Sequence, residues 1–252
     1  LKRIWSGGVV LALVALFGLP TAAFAAPTQI TLVGDPGVVT VTGDASASQL
    51  TLSDSVTYVN AVDPGAGLTP GAGCAVNPLV PGGVRCAKPA GGVTVVNVNL
   101  GDGNDILLAS GLGEPLVVNG GAGNDNLGGG QLADTINGGD DNDTLDGKTL
   151  NDTLNGDAGV DTVSYIQTIN RNVSLDGVAN DGAAGENDQV LTVENISTAG
   201  GNDTLTGDGN ANVLTSGAGT DTLNGGAGND TLNGGLDADA LNGGADVDTV
   251  SY

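Results

Sequence analysis

A nine-residue period is the feature that most limits what this chain can fold into. It occupies two stretches, Gly120 to Ser164 and Thr198 to Ser251. Its clearest copies are Gly120-Gly121-Ala122-Gly123-Asn124-Asp125-Asn126-Leu127-Gly128 and Gly225-Gly226-Ala227-Gly228-Asn229-Asp230-Thr231-Leu232-Asn233. Both carry Gly at positions one, two and four, Asp at six and an apolar residue at eight. Copies start at 120, 129, 138, 147 and 156, then at 198, 207, 216, 225, 234 and 243, without slippage inside either stretch. A unit this short cannot bury its own apolar face, so neighbouring copies must stack to make a core.

Position eight is Leu127, Ile136, Leu145, Leu154 and Val163, then Leu205, Leu214, Leu223, Leu232, Leu241 and Val250. One inward residue between outward neighbours at seven and nine describes a three-residue strand. The other six residues turn a corner, for which Gly permits positive φ and close backbone approach. Two strands and two corners close a coil of 18 residues, so the expected fold is all-β: a parallel β-roll, or β-solenoid, with a small β region before it. Asp residues 18 apart then share an edge. These are Asp125, Asp143 and Asp161 on one edge of the first stretch, with Asp134 and Asp152 on the other. In the second stretch, Asp203, Asp221 and Asp239 share one edge and Asn212, Asp230 and Asp248 the other. Stacked carboxylates repel and need cations between them.

Composition supports a cation as partner. The 29 acidic residues outnumber 6 Lys plus Arg, for a formal net charge of −23, and only Glu114, Glu186 and Glu194 among the acids are Glu. Nucleic acid is excluded as a partner, because binding it rests on neutralising phosphates with basic residues. With 45 Gly and 2% aromatic residues the chain lacks the side chains of an ordinary globular core. It contains no His, which removes H-E-x-x-H zinc sites, Ser-His-Asp triads and Cys-His pairs together. No complete G-x-x-x-x-G-K-[ST] phosphate-binding loop is present. The chain is therefore read as a non-enzyme.

Outside the repeats, residues 1–26 read as a secretory signal peptide, with Lys2 and Arg3, an apolar run from Val9 to Leu19, and Ala23-Phe24-Ala25 as the cleavage site. The expected product is secreted and extracellular, with no stable membrane span after cleavage. Residues 27–99 hold alternating β-branched runs at Gln29–Val33, Val38–Thr42, Gln49–Leu52, Val56–Val59 and Val93–Val98. They suit either a small antiparallel domain or a cap on the roll. Cys74 and Cys86 are expected to form one disulfide in an exported chain. The repeats begin imperfectly at Gly101-Asp102-Gly103-Asn104-Asp105, so 100–164 is the first block, 165–197 an insert with strand-like Val173–Leu175 and Gln189–Val193, and 198–252 the second block. Asp161-Thr162-Val163-Ser164-Tyr165 recurs as Asp248-Thr249-Val250-Ser251-Tyr252, so the alternation of block and insert is expected to continue beyond Tyr252.

The repeats resemble the RTX, or haemolysin-type calcium-binding, nonapeptides, written G-G-x-G-x-D-x-U-x. The resemblance implies a parallel β-roll with several Ca²⁺ ions lodged between neighbouring corners. Their ligands would be Asp125, Asp134, Asp143, Asp152, Asp161, Asp203, Asp221, Asp230, Asp239 and Asp248, together with backbone carbonyls around glycines such as Gly121, Gly123, Gly226 and Gly228. Ca²⁺ takes about 6–8 hard oxygen ligands, which suits that set. Lys148, Leu150 and Leu132 replace Gly, Asp141, Asp237 and Asp246 occupy position four, and Asn212 replaces the Asp. Weak or absent metal is expected at the corners of Lys148 and Asn212. One buried Leu contributes about 1.5–3 kcal/mol, less than the backbone entropy lost in ordering nine residues. Calcium is therefore expected to supply the missing folding free energy.

These readings converge on a secreted calcium-binding roll that folds on Ca²⁺ and has a structural or adhesive role at a cell surface or matrix. The alternative is the calcium-dependent scaffold portion of a larger secreted enzyme, toxin or adhesin. Thr at position seven, from Thr135 to Thr249, could form a flat adhesive or ice-binding face; the preference of Thr for exposed strands accounts for it as well.

Overall fold

The computed structural model describes residues 29–33, 38–43, 49–54, 58–62, 69–70, 74–79, 83–88 and 90–251. The signal peptide expected at 1–26 lies outside the described residues. Among the described residues every regular element is a β-strand, and no helix is long and apolar enough to cross a membrane.

The 18-residue coil sets the pairing. Leu127 pairs with Leu145 and Leu145 with Val163 in one wall, while Ile136 pairs with Leu154 in the wall opposite, all in parallel register. Wall one is built from Val95–Asp102, Leu116–Ala122, Thr135–Asp140, Thr153–Ala158 and Gln189–Leu191. Wall two contains Ile106–Gly111, Asn126–Gly128, Thr144–Asp146, Thr162–Thr168, Asn195–Gly200, Val213–Thr215, Thr231–Asn233 and Thr249–Ser251. A third sheet, with Arg171–Ser174, Thr204–Thr206, Thr222–Ala227 and Ala240–Ala245, faces wall two along the second block.

The two sides are not alike. Most wall-two strands in the repeats span the three residues expected from the sequence. Thr135–Asp140, Thr153–Ala158, Thr222–Ala227 and Ala240–Ala245 instead run six residues, through positions seven to nine and into the next copy. Pairing resumes beyond position one: Asn137 meets Asn155, and then Gly139 meets Asp157.

The core lies between the walls. Leu127, Ile136, Leu145, Leu154, Val163, Leu205, Leu214, Leu223 and Leu232 are all fully buried, whereas Val250 in the final coil is 47% exposed. With one apolar residue per strand, the interior is completed by position-one Gly and position-six Asp, which makes the corners part of the core.

The N-terminal strands pair directly onto the walls of the roll. Val38–Thr42 pairs in parallel with Val95–Asn99, and Gln49–Thr51 with Ile106–Leu108, so these strands form a first coil. Tyr58–Val62, Gly83–Ala87 and Cys74–Val76 then extend wall two antiparallel. Further strands cover an edge that would otherwise be open. Cys74 and Cys86 face each other in register and are disulfide-bonded, with Cα atoms 4.2 Å apart.

Residues 165–197 carry the walls from one block to the next. Thr162–Tyr165 pairs with Asn195–Thr198, so wall two continues unbroken. On the other side the chain first lays down Arg171–Ser174, doubles back antiparallel at Gly182–Ala183, and only then sets Gln189–Leu191 against Thr153–Asn155. Thr204–Thr206 lands on Asn172–Ser174. That side thus gains one strand that wall two lacks.

Candidate metal centre

Each position-six Asp stands immediately before a strand, where the corner turns inward. Asp125, Asp143, Asp152, Asp161, Asp203, Asp221 and Asp230 are all buried, at 3% exposure or less. One carboxylate oxygen is used within the protein. Asp143 Oδ1 accepts the Asp125 N–H at 2.8 Å and Asp161 Oδ1 accepts the Asp143 N–H at 2.8 Å. Asp152 does the same for Asp134, Asp221 for Asp203, Asp239 for Asp221 and Asp248 for Asp230. Columns of aspartate exist, and each Asp tethers the coil before it.

The other oxygen carries the chemistry. Oδ2 of Asp125, Asp143, Asp152, Asp161, Asp203, Asp221, Asp230 and Asp239 is buried without a hydrogen-bond partner. A buried carboxylate oxygen left bare must take a proton or meet a cation. Asp134 differs, because the Gly130 N–H donates to its Oδ2 at 2.6 Å while the Leu116 N–H donates to its Oδ1. Asp248 sits in the final coil and is only partly buried.

The three glycines of the repeat answer three demands. At position one, a Cβ on Gly120 would meet Asp125 Oδ2 and the Gly138 carbonyl oxygen, so the space next to the bare oxygen must stay empty. At position two, Gly121 has φ 125° and Gly139 φ 121°, and a Cβ on Gly139 would collide with the Gly121 carbonyl of the preceding coil. At position four, Gly123 has φ 123°. Gly226 and Gly228 repeat this at φ 109° and 113°, with the Gly226 carbonyl facing Gly244. Carbonyl oxygens therefore crowd the same corners as the aspartates.

Burial raises these carboxyls. Asp125 is pushed from 3.8 to about 7 by desolvation, aided by the charges of Asp105 and Asp143 and opposed by the Asp105 N–H. Asp152 rises to about 8, again chiefly through burial, with Asp188, Asp134 and Glu186 adding repulsion. Asp134 and Asp143 rise to about 6, and Asp161 and Asp203 shift upward, with desolvation leading in every case.

Several participants escaped the sequence reading. Glu194 Oε2 accepts the Asp161 N–H at 2.8 Å, and Asp188 Oδ1 accepts the Asp152 N–H at 2.9 Å. The Asp125–Asp143–Asp161 column thus passes through Glu194 to Asn212, Asp230 and Asp248. Asp105 extends it downward, donating its N–H to Asp125 Oδ1 at 2.7 Å. Position-five Asn forms an outer column: Asn124 Oδ1 accepts the Asn142 N–H, and Asn142 Oδ1 that of Val160. The recurring Asn-Asp step was the available signal. Asn212 itself is satisfied without a metal, its Oδ1 accepting from Asp208 N and its Nδ2 donating to the Glu194 carbonyl at 2.8 Å.

The residues present fit calcium. Among the described residues no three His, Cys, Asp or Glu side chains converge; each corner offers carboxylates together with main-chain oxygens. Such an all-oxygen set suits a hard cation, whereas zinc favours Cys and His.

This arrangement defines a calcium-binding β-roll protein. The RTX calcium-binding nonapeptide repeat family matches the chain in four copies, over residues 119–150, 137–165, 193–223 and 215–250. These residues carry RTX-type calcium-binding nonapeptide repeats. No curated protein matches it.

The departures from the repeat carry backbone strain. Lys148, Leu150, Asp141, Asp157, Asp237 and Asp246 hold positive φ values of 69–80° where the repeat asks for Gly. A left-handed conformation costs a non-Gly residue roughly 1–2 kcal/mol. Leu150 is also 48% exposed, so its side chain adds little packing. Leu150→Gly is expected to stabilise the calcium-loaded protein by about 0.5–1 kcal/mol once the entropy of Gly is deducted. Thermal melting in excess calcium checks this; a lowered midpoint would refute the strain.

Proposed function

We propose that the protein is a secreted structural element whose roll is ordered by Ca²⁺ outside the cell, with a structural or adhesive role at a surface or matrix. The observation that carries the calcium part is the row of buried, partnerless Oδ2 atoms at eight corners of the repeats, next to carbonyls from adjoining coils. Asp125, Asp143, Asp161 and Asp230 on one edge, and Asp152, Asp203, Asp221 and Asp239 on the other, would hold the ions with main-chain oxygens of residues such as Gly121 and Gly226. Asp134, already satisfied by Gly130, and Asp248 in the final coil would contribute less. The bound ion supplies positive charge to oxygens that otherwise destabilise the fold. The chain's own part is to exclude water from these corners and to tether coil to coil through each Oδ1.

Export supports the same reading, because extracellular modules can use sites with Kd of about 10⁻⁴–10⁻³ M. The test is a calcium titration followed by circular dichroism, with Mg²⁺ as control. β signal should grow with calcium in that range and not with magnesium, which prefers a tighter, more hydrated octahedron. Equal response to both ions would overturn the assignment.

A further inference from the structure

One position-six residue is basic. Arg171 is in register with Asp203, since Asn172 pairs with Thr204, and its N–H donates to Asp203 Oδ1 at 2.7 Å as a position-six residue should. Its side chain is not solvent-facing: Arg171 is 3% exposed. The guanidinium donates to Glu186 Oε2 at 2.7 Å and to Gln167 Oε1 at 2.7 Å, and lies 4.5 Å from the centroid of the Tyr165 ring. Tyr165 is fully buried and donates its O–H to Asp188 Oδ2 at 3.0 Å. Where eight corners of the repeats present a carboxylate with a bare oxygen, this one presents a cation already bonded to carboxylate and amide, with Nε its one unpartnered nitrogen.

We propose that Arg171 is a resident cation that lets residues 165–197 fold without calcium, so that this joint is the calcium-independent seed on which both blocks of the roll assemble. The proposal rests on the reading that calcium orders the repeats. Two features beyond the ion pair support it. The joint buries Tyr165, Val173, Val190, Val193 and Ile196, a denser apolar cluster than the single residue per strand of a repeat, and burial of that kind needs no metal. It also presents paired strands to both neighbours, Gln189–Leu191 to the first block and Arg171–Ser174 to the second, while wall two passes through it. The ion pair by itself would be weak support, since buried pairs often only offset their desolvation. Its role here is to neutralise the half-buried Glu186 and to oppose the charge of Asp188, which is buried against the Tyr165 hydroxyl.

The test is hydrogen exchange with mass spectrometry on the full chain at pH 7.5, in excess calcium and in chelator. In calcium, peptides from the whole roll should be protected. In chelator, peptides covering 165–197 should keep protection on the order of 100-fold, while those covering 120–160 and 207–251 exchange close to the unfolded rate. If all peptides exchange freely in chelator, the joint is not a seed, and the calcium reading stands without it. If the repeats stay protected in chelator, the calcium reading itself fails and this proposal with it. Arg171→Met should abolish the joint's protection in chelator, and Arg171→Lys, which keeps the charge but loses the planar fork, should restore part of it. Unchanged protection in Arg171→Met would overturn the role of the cation. The wild-type comparison does not depend on either variant folding.

Discussion

Replacing Asp143 by Ala is expected to lower the number of bound calcium ions and to destabilise the first block even in excess calcium. The same change to Asn should lower the ion count with a smaller loss of stability. The two oxygens of Asp143 do different work. Oδ1 accepts the buried Asp125 N–H, while Oδ2 has no protein partner. Ala removes both functions and strands a buried amide, at a cost of about 1–3 kcal/mol in addition to the lost ion. Asn retains an acceptor for Asp125 and replaces the bare oxygen by an amide donor. Asn212 shows the donor half of this, its Nδ2 reaching the Glu194 carbonyl of the preceding coil while its Oδ1 accepts the Asp208 N–H of its own corner. Calorimetric stoichiometry and thermal melting of the three proteins check this. Unchanged stoichiometry in both variants would remove Asp143 from the metal site, and identical melting of Ala and Asn variants would refute the tether.

The second large effect is on pH, and its sign differs with and without calcium. In chelator, the folded-state values of Asp143 at about 6, Asp125 at about 7 and Asp152 at about 8 lie above the unfolded value of 3.8. Between pH 4 and pH 8 the folded roll therefore holds more protons than the unfolded chain, and its stability falls as pH rises through that window. Mild acid should partly substitute for calcium, so β signal in chelator should be stronger near pH 5 than near pH 8. In subsaturating calcium the direction reverses, because protons compete with the ion for the same oxygens. Chelator data showing more β structure at pH 8 than at pH 5 would mean that the carboxyls are not buried as found here.

Much of this was legible because a strict period converts sequence spacing into spatial register. Eighteen residues separate Leu127 from Leu145 and Asp125 from Asp143, and both pairs meet in space. The period fails at residues 165–197, and legibility fails with it. Asp161 bonds Glu194 at a separation of 33 residues and Asp152 bonds Asp188 at 36, so the join between columns is decided by strand pairing rather than by counting. Arg171 could not be recognised as a position-six residue, because its strand is laid down out of order and aligns with Asp203 only after the chain doubles back. Nor does the repeat formula distinguish Asp134 from its neighbours; the difference is a local bend that brings the Gly130 N–H onto Oδ2. The unequal strand lengths of the two sides were hidden for a related reason. Positions one to three read as corner in every copy, and only pairing such as Gly139 with Asp157 turns them into strand.

The most direct measurement is the radius of gyration of the full chain by solution scattering at pH 7.5, in chelator and in millimolar calcium. If buried aspartate oxygens need calcium, the chelated protein should expand well beyond the calcium-loaded one, toward the roughly 55 Å of an unfolded chain of this length, and magnesium should not reverse it. An equal, compact radius in chelator and in calcium would contradict the dependence of the roll on the ion.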